Sequence, residues 1–243
     1  MSMKTRELKA TAWTISVLSM AFALAAQADD SVEMVEYGYH TSYIPGGFDS
    51  NDNAQIVGEG IYPDTCYRPA SPMVKTDPVT REVRVAPYAY HYNGICLKML
   101  VPFDQTLDLG ILPAGTFKIK QEQRGRDLEM GTIKVGVAAS SDADDFLYAP
   151  VSQAYAETAN GKTKIRVTGS FTDSCMKLTD LIASVEPKVL VVQPIAEREG
   201  RADCTSGNFP FDRTVELNGV SRGRYLLHVR SLNGKAFNHL VDL

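Results

Sequence analysis

The sequence predicts an all-β fold of two tandem β-sandwich units, each closed by its own disulfide. Three observations predict it: period-two alternation without amphipathic helices, a motif register that occurs twice, and four cysteines shared evenly between the copies.

The alternation marks the strands. Phe117 and Ile119 alternate with Lys118 and Lys120, and Leu107 and Leu109 with Thr106 and Asp108. In the second half Tyr225, Leu227 and Val229 alternate with Arg224, Leu226, His228 and Arg230. Such a pattern implies one packed face and one largely wet face. The runs 83–85, 132–137, 164–167 and 189–192 are also strand-like and are bounded by Pro, Gly, Asn and Asp.

The register repeats in order. Tyr43 and Pro45 match Tyr148 and Pro150, Gly60 matches Gly169, and Asp64 and Cys66 match Asp173 and Cys175. Pro87 then meets Pro194, and Cys96 meets Cys204. The run Pro102-Phe103-Asp104 meets Pro210-Phe211-Asp212, and Gly115 meets Gly223. A period of this length describes a duplicated domain, since solenoid repeats run only about 20–50 residues. Because a unit that folded alone before duplication must pair within itself, the expected bonds are Cys66 with Cys96 and Cys175 with Cys204.

Organisation along the chain follows. Residues 1–28 read as a cleavable signal peptide: Lys4, Arg6 and Lys9 form a basic start, residues 10–25 carry no charge, and Ala26-Gln27-Ala28 offers small residues where a signal peptidase cuts. The apolar run is too short and too rich in Ser and Thr for a membrane anchor. Residues 29–42 form an N-terminal segment, 43–127 the first repeat, 128–141 a connecting segment and 142–243 the second repeat with a C-terminal hairpin. The expected destination is the periplasm or the external medium, where the disulfides form. Removing residues 1–28 takes three of 25 basic residues and one of 29 acids, leaving a formal charge of −6 that opposes nucleic-acid binding.

The ending Leu107-x-Leu109, then Pro113-Ala114-Gly115-x-Phe117, and its partner Val215-x-Leu217, then Gly223-x-Tyr225, resembles the last two strands of the immunoglobulin-like domains of bacterial secreted proteins. The resemblance implies tandem immunoglobulin-like sandwiches and no particular activity. It is departed from in two places: the mature chain has no Trp to pack on the disulfide, and Gly94 stands two residues before Cys96.

The residues that carry chemistry are few. The mature chain holds no G-x-S-x-G, H-E-x-x-H or phosphate-loop motif, and no cofactor is expected. Asp49, Asn51 and Asn53 alternate as calcium ligands do, but Ala54 stands where the loop needs glycine, so a solvated turn is expected; Asp142, Asp144 and Asp145 read the same way. Tyr88, Tyr90 and Tyr92 share one strand face. Turned outward they make a binding surface; turned inward, the commoner use of strand aromatics, they are core or domain-interface packing. Asn233-Gly234 signals a two-residue hairpin turn that would set His228 opposite His239. Two imidazoles fall short of the three or four ligands a metal site takes.

These features favour an exported, noncatalytic interaction protein whose partner is an envelope protein or polysaccharide. The alternatives are an envelope-directed hydrolase with an unrecognised site, marked by a deep polar pocket, and a secreted protease inhibitor, marked by a protruding rigid loop.

Overall fold

The computed structural model describes residues 31–139, 147–200 and 202–243. Residues 1–28, expected to be a signal peptide, and Asp142, Asp144 and Asp145 lie outside the described residues. The first half forms β1 (Val32–Glu36), β2 (Thr41–Tyr43), β3 (Phe48–Asp49), β4 (Asn53–Tyr62), β5 (Tyr67–Pro69) and β6 (Met73–Asp77). It continues with β7 (Glu82–Ala86), β8 (Tyr88–Tyr92), β9 (Val101–Ile111), β10 (Gly115–Gln123) and β11 (Arg126–Gly136). The second half forms β12 (Val151–Ala159), β13 (Lys162–Asp173), β14 (Met176–Glu186), β15 (Val189–Arg198), β16 (Ser206–Asn218), β17 (Arg224–Ser231) and β18 (Lys235–Asp242). Both expected disulfides are present, Cys66–Cys96 and Cys175–Cys204, each with Cα atoms 5.4 Å apart.

The two halves share one topology. Sheet β2-β4-β9 corresponds to β12-β13-β16, and the run β11-β10-β7-β6 corresponds to β18-β17-β15-β14. In both, the closing hairpin is antiparallel, while its inner strand pairs in parallel with an earlier one, β10 with β7 and β17 with β15. This parallel pairing, present in both sandwiches, departs from the antiparallel sheets expected of immunoglobulin-like domains.

The boundaries move from those expected. Strand β11 pairs with β10 from Arg126 to Val135, so the limit at 127 cuts a paired strand and much of the segment 128–141 belongs to the first sandwich. The N-terminal segment also belongs to it, because β1 pairs with β8 and Tyr39 is buried in the first core.

A main core lies inside each sandwich, and the second also holds a smaller cluster of Ala149, Phe171, Leu178 and Ala196. Ile56, Leu107, Phe117, Ile119 and Ile133 fill the first; Ile165, Val167, Leu190, Leu227 and Val229 fill the second. A further cluster joins the two sandwiches: Tyr43 and Val57 from the first unit pack on Val189, Val191, Leu226 and Leu240 of the second. The four main sheets therefore stack in the order β3-β11-β10-β7-β6, β2-β4-β9, β14-β15-β17-β18, β12-β13-β16. This seam corrects the expectation that Leu226, His228 and Arg230 line a wet face. All three are buried because the first repeat covers them.

The seam is also polar. Arg230 pairs with Asp52 at 3.3 Å, donates to the Tyr148 hydroxyl and to the Gly47 carbonyl, and lies 4.9 Å over the Phe48 ring. His228 Nδ1 lies 2.7 Å from the Asn238 Oδ1, and the Asn238 amide donates to Gln55 and Thr106 of the first repeat. Arg224 reaches Glu59 at 2.7 Å, and Gly46 N–H donates to Glu186.

Candidate binding surface

The tyrosine stripe sits where the long hairpin of the first repeat breaks. In the second repeat, β14 and β15 run unbroken as a hairpin across Pro194. In the first, the equivalent hairpin is split, β6 with β7 below and β5 with β8 above, at Pro87 and at Ala70-Ser71-Pro72. Proline cannot donate to a ladder, and two proline sites bracketing one level of the hairpin let the upper half leave the main sheet. The freed β8 takes β1 on its other edge, giving the small sheet β1-β8-β5.

Register then sorts the side chains. Ala89 is fully buried, and His91 stacks 4.6 Å from Tyr67. Tyr67 continues into a column with Tyr62 and Phe103, which stack at 4.0 Å, and Tyr37 closes its side. Burial pushes the Tyr62 phenol up to about 12. The opposite face carries Tyr88, Tyr90 and Tyr92, with Met34 and Val32 beside them on β1 and Arg68 beside Tyr90 on β5. Tyr90 is 40% and Tyr92 43% exposed, and Met34 is 58% exposed. Tyr88 is half-buried. The stripe thus faces outward, against the preference for core packing, because the inner face is already filled by the column of Tyr62, Tyr67 and Phe103.

The chain leaves Tyr92 into an apolar loop. Asn93 is tied to Ser31, Leu97 exchanges hydrogen bonds with Thr65 through both N–H and carbonyl, and Cys96 is bonded to Cys66. Lys98 pairs with Asp64 at 2.8 Å, and Asp64 in turn accepts from the Cys66 N–H. So fixed, the loop exposes Ile95, Leu97, Met99 and Leu100. Sequence reading missed these four, since an apolar run around a disulfide cysteine reads as core. The repeat held the signal: at the Cys96 to Cys204 offset the four positions carry Asp203, Thr205, Gly207 and Asn208.

The histidine pair is not formed. The last hairpin sets Ser231 opposite Lys235, so Leu232, Asn233 and Gly234 make a three-residue loop, with Asn233 and Gly234 at positive φ. The added loop residue shifts the register by one. His228 faces Asn238, whereas His239 faces Leu227 on the opposite face and is exposed. His228 is 1% exposed, and burial lowers it to about 4. The cavity beside it, lined by Phe48, Asp52, Tyr148 and Arg230 among others, measures about 20 Å³. That is room for a water and not for an organic substrate. Asp49 and Asp52 close a turn on each other, but the turn is not the solvated one expected: Asp52 is buried in the seam against Arg230.

Two sandwiches of one topology, each stapled by a disulfide, define a tandem β-sandwich protein. A family model for the ORF11 beta-sandwich domain matches residues 57–138 and 165–242, about two thirds of the chain, and the protein belongs to that family. No curated protein and no solved structure matches the chain.

Proposed function

We propose that this is a noncatalytic binding protein of the cell envelope that engages a partner through the apolar face of its first repeat. The observation that carries the reading is the outward Tyr90 and Tyr92 beside Met34, Val32 and the stapled loop. Large aromatic and Met side chains held in water on a rigid scaffold are characteristic of contact surfaces, because they offer area with little entropy to lose. The disulfides fit an oxidising compartment, and no helix among the described residues is long and apolar enough to cross a membrane. The signal-like start at residues 1–28 supports export.

The inhibitor reading has less support. The loop protrudes, but its Leu97 carbonyl accepts from Thr65 and Met99 and its Lys98 is held by Asp64, so it does not offer an extended strand to a protease. The test is retention of the purified protein on isolated envelope polysaccharide and on envelope proteins. Retention should fall at least about tenfold in a Tyr90→Ala, Tyr92→Ala variant, the loss expected when aromatic anchors are truncated. Equal retention of wild type and variant would reject the face.

A further inference from the structure

The same face is large enough to hold a second copy of this chain, and we infer that it forms a symmetric dimer there; the inference rests on reading the face as a binding surface. Val32, Met34, Tyr90 and Tyr92 occupy adjacent register positions on β1 and β8. Ile95, Leu97, Met99 and Leu100 follow on a loop pinned to Ser31 and Thr65 at the end of the sheet where Val32 and Tyr92 lie. Together the eight exposed residues offer on the order of 900 Å², near the roughly 800 Å² each partner gives to a standard interface.

Three features point to another copy of the protein. The composition, with Tyr, Met and Arg68 side by side on the small sheet and aliphatic residues on the adjoining loop, is that of a protein interface. A bilayer is a poorer occupant, since irregular backbone exposed to hydrocarbon leaves polar groups unsatisfied and this loop is irregular. The surface also occurs once per chain, because the second repeat carries Asp203, Thr205, Gly207 and Asn208 at the matching loop positions. A single self-complementary patch closes after two subunits, whereas one on each repeat would propagate. The apolar loop is moreover dispensable for folding such a unit, since its sister folds with polar residues there.

The sister residues supply the test. Sedimentation velocity on the purified, disulfide-bonded protein across the micromolar range should show a dimer. The variant Ile95→Asp, Leu97→Thr, Met99→Gly, Leu100→Asn should weaken self-association by about a hundredfold or more, the scale of lost hot spots. Ile95→Asp alone guards against misfolding, because Ile95 is fully exposed; it should shift the equilibrium the same way with an unchanged melting temperature. A wild type monomeric at every concentration overturns the dimer, as does a dimer that survives the loop substitutions. A wild-type monomer whose retention on envelope fractions, or on vesicles of zwitterionic lipid, still depends on Tyr90 and Tyr92 overturns the dimer and leaves the broader binding reading standing. A monomer without such retention overturns both.

Discussion

At the residue scale the duplicated positions explain themselves by contact. Gly60 and Gly169 lie opposite Phe103 and Phe211 in the matching strand pairs, and a Cβ on either would come within 2.4 Å of the ring. Gly169 is further pressed by the Pro150 carbonyl oxygen at 2.0 Å from that Cβ, and backbone cannot step aside as a ring can. Gly169→Ala should therefore cost about 1–3 kcal/mol, the range for overpacking, and more than Gly60→Ala; urea unfolding of the two variants checks the order. Asp64 and Asp173 recur because each accepts the N–H of the cysteine two residues on, fixing the turn that presents it to its disulfide partner. His228 is the residue with a pH signature. It folds neutral, near Arg230, which is paired with Asp52, and burial holds it at about 4 against an ordinary 6.5. The unfolded chain therefore binds the proton first. Stability is complete above about pH 6.5 and is lost as pH falls toward 4, by on the order of 3 kcal/mol for this group. Urea unfolding at pH 7.5 and 4.5 should show a drop that is smaller by about that amount in His228→Gln.

At the scale of elements, period two located most strands, and the repeat fixed both disulfides, since each rests on local pattern or on paired positions. What escaped was set by tertiary context. The hairpin of Asn233-Gly234 has the expected turn residues but one loop residue more, and a single step reverses every side chain. The outward turn of Tyr90 and Tyr92 follows from the proline break that detaches β8, and Pro87 alone does not announce it, since Pro194 sits at the matching place inside an unbroken β15. The loop after β8 depends on its staple. Replacing Cys66 and Cys96 by Ala removes closure of a 30-residue separation, with a cost of about 3.6 kcal/mol in the chain-entropy estimate. Thermal unfolding should show that loss, and proteolysis should cut first within 93–100.

At the scale of the molecule, the repeats are bound by a seam that neither sequence pattern nor duplication reveals, because it uses different faces of the two copies. Val57 and Gln55 supply the first face; their counterparts in the second repeat, at the Gly60 to Gly169 offset, are Arg166 and Lys164. Leu226 and His228 supply the second face, and their counterparts, at the Gly115 to Gly223 offset, are Lys118 and Lys120. Val57→Arg should consequently open the seam, since it buries a charge with no partner built for it, at a cost of about 3–5 kcal/mol. Calorimetry should then resolve two transitions in place of one.

Because the joined faces are unlike, the stack has a polarity: each end presents the counterpart of a sheet that meets in the seam, with charged residues where the seam is apolar. Lys118, Lys120, Glu82 and Arg84 stand at one end where Leu226, His228, Val189 and Val191 line the seam, Lys164 and Arg166 stand at the other, and burying such charges without partners opposes a second junction. Giving both ends their sisters' seam residues, with Lys118→Leu, Lys120→His, Glu82→Val, Arg84→Val, Lys164→Gln and Arg166→Val, should let molecules add end to end. Electron microscopy should show fibres one sandwich wide, and dispersed particles alone would mean that the charges are not what ends the stack.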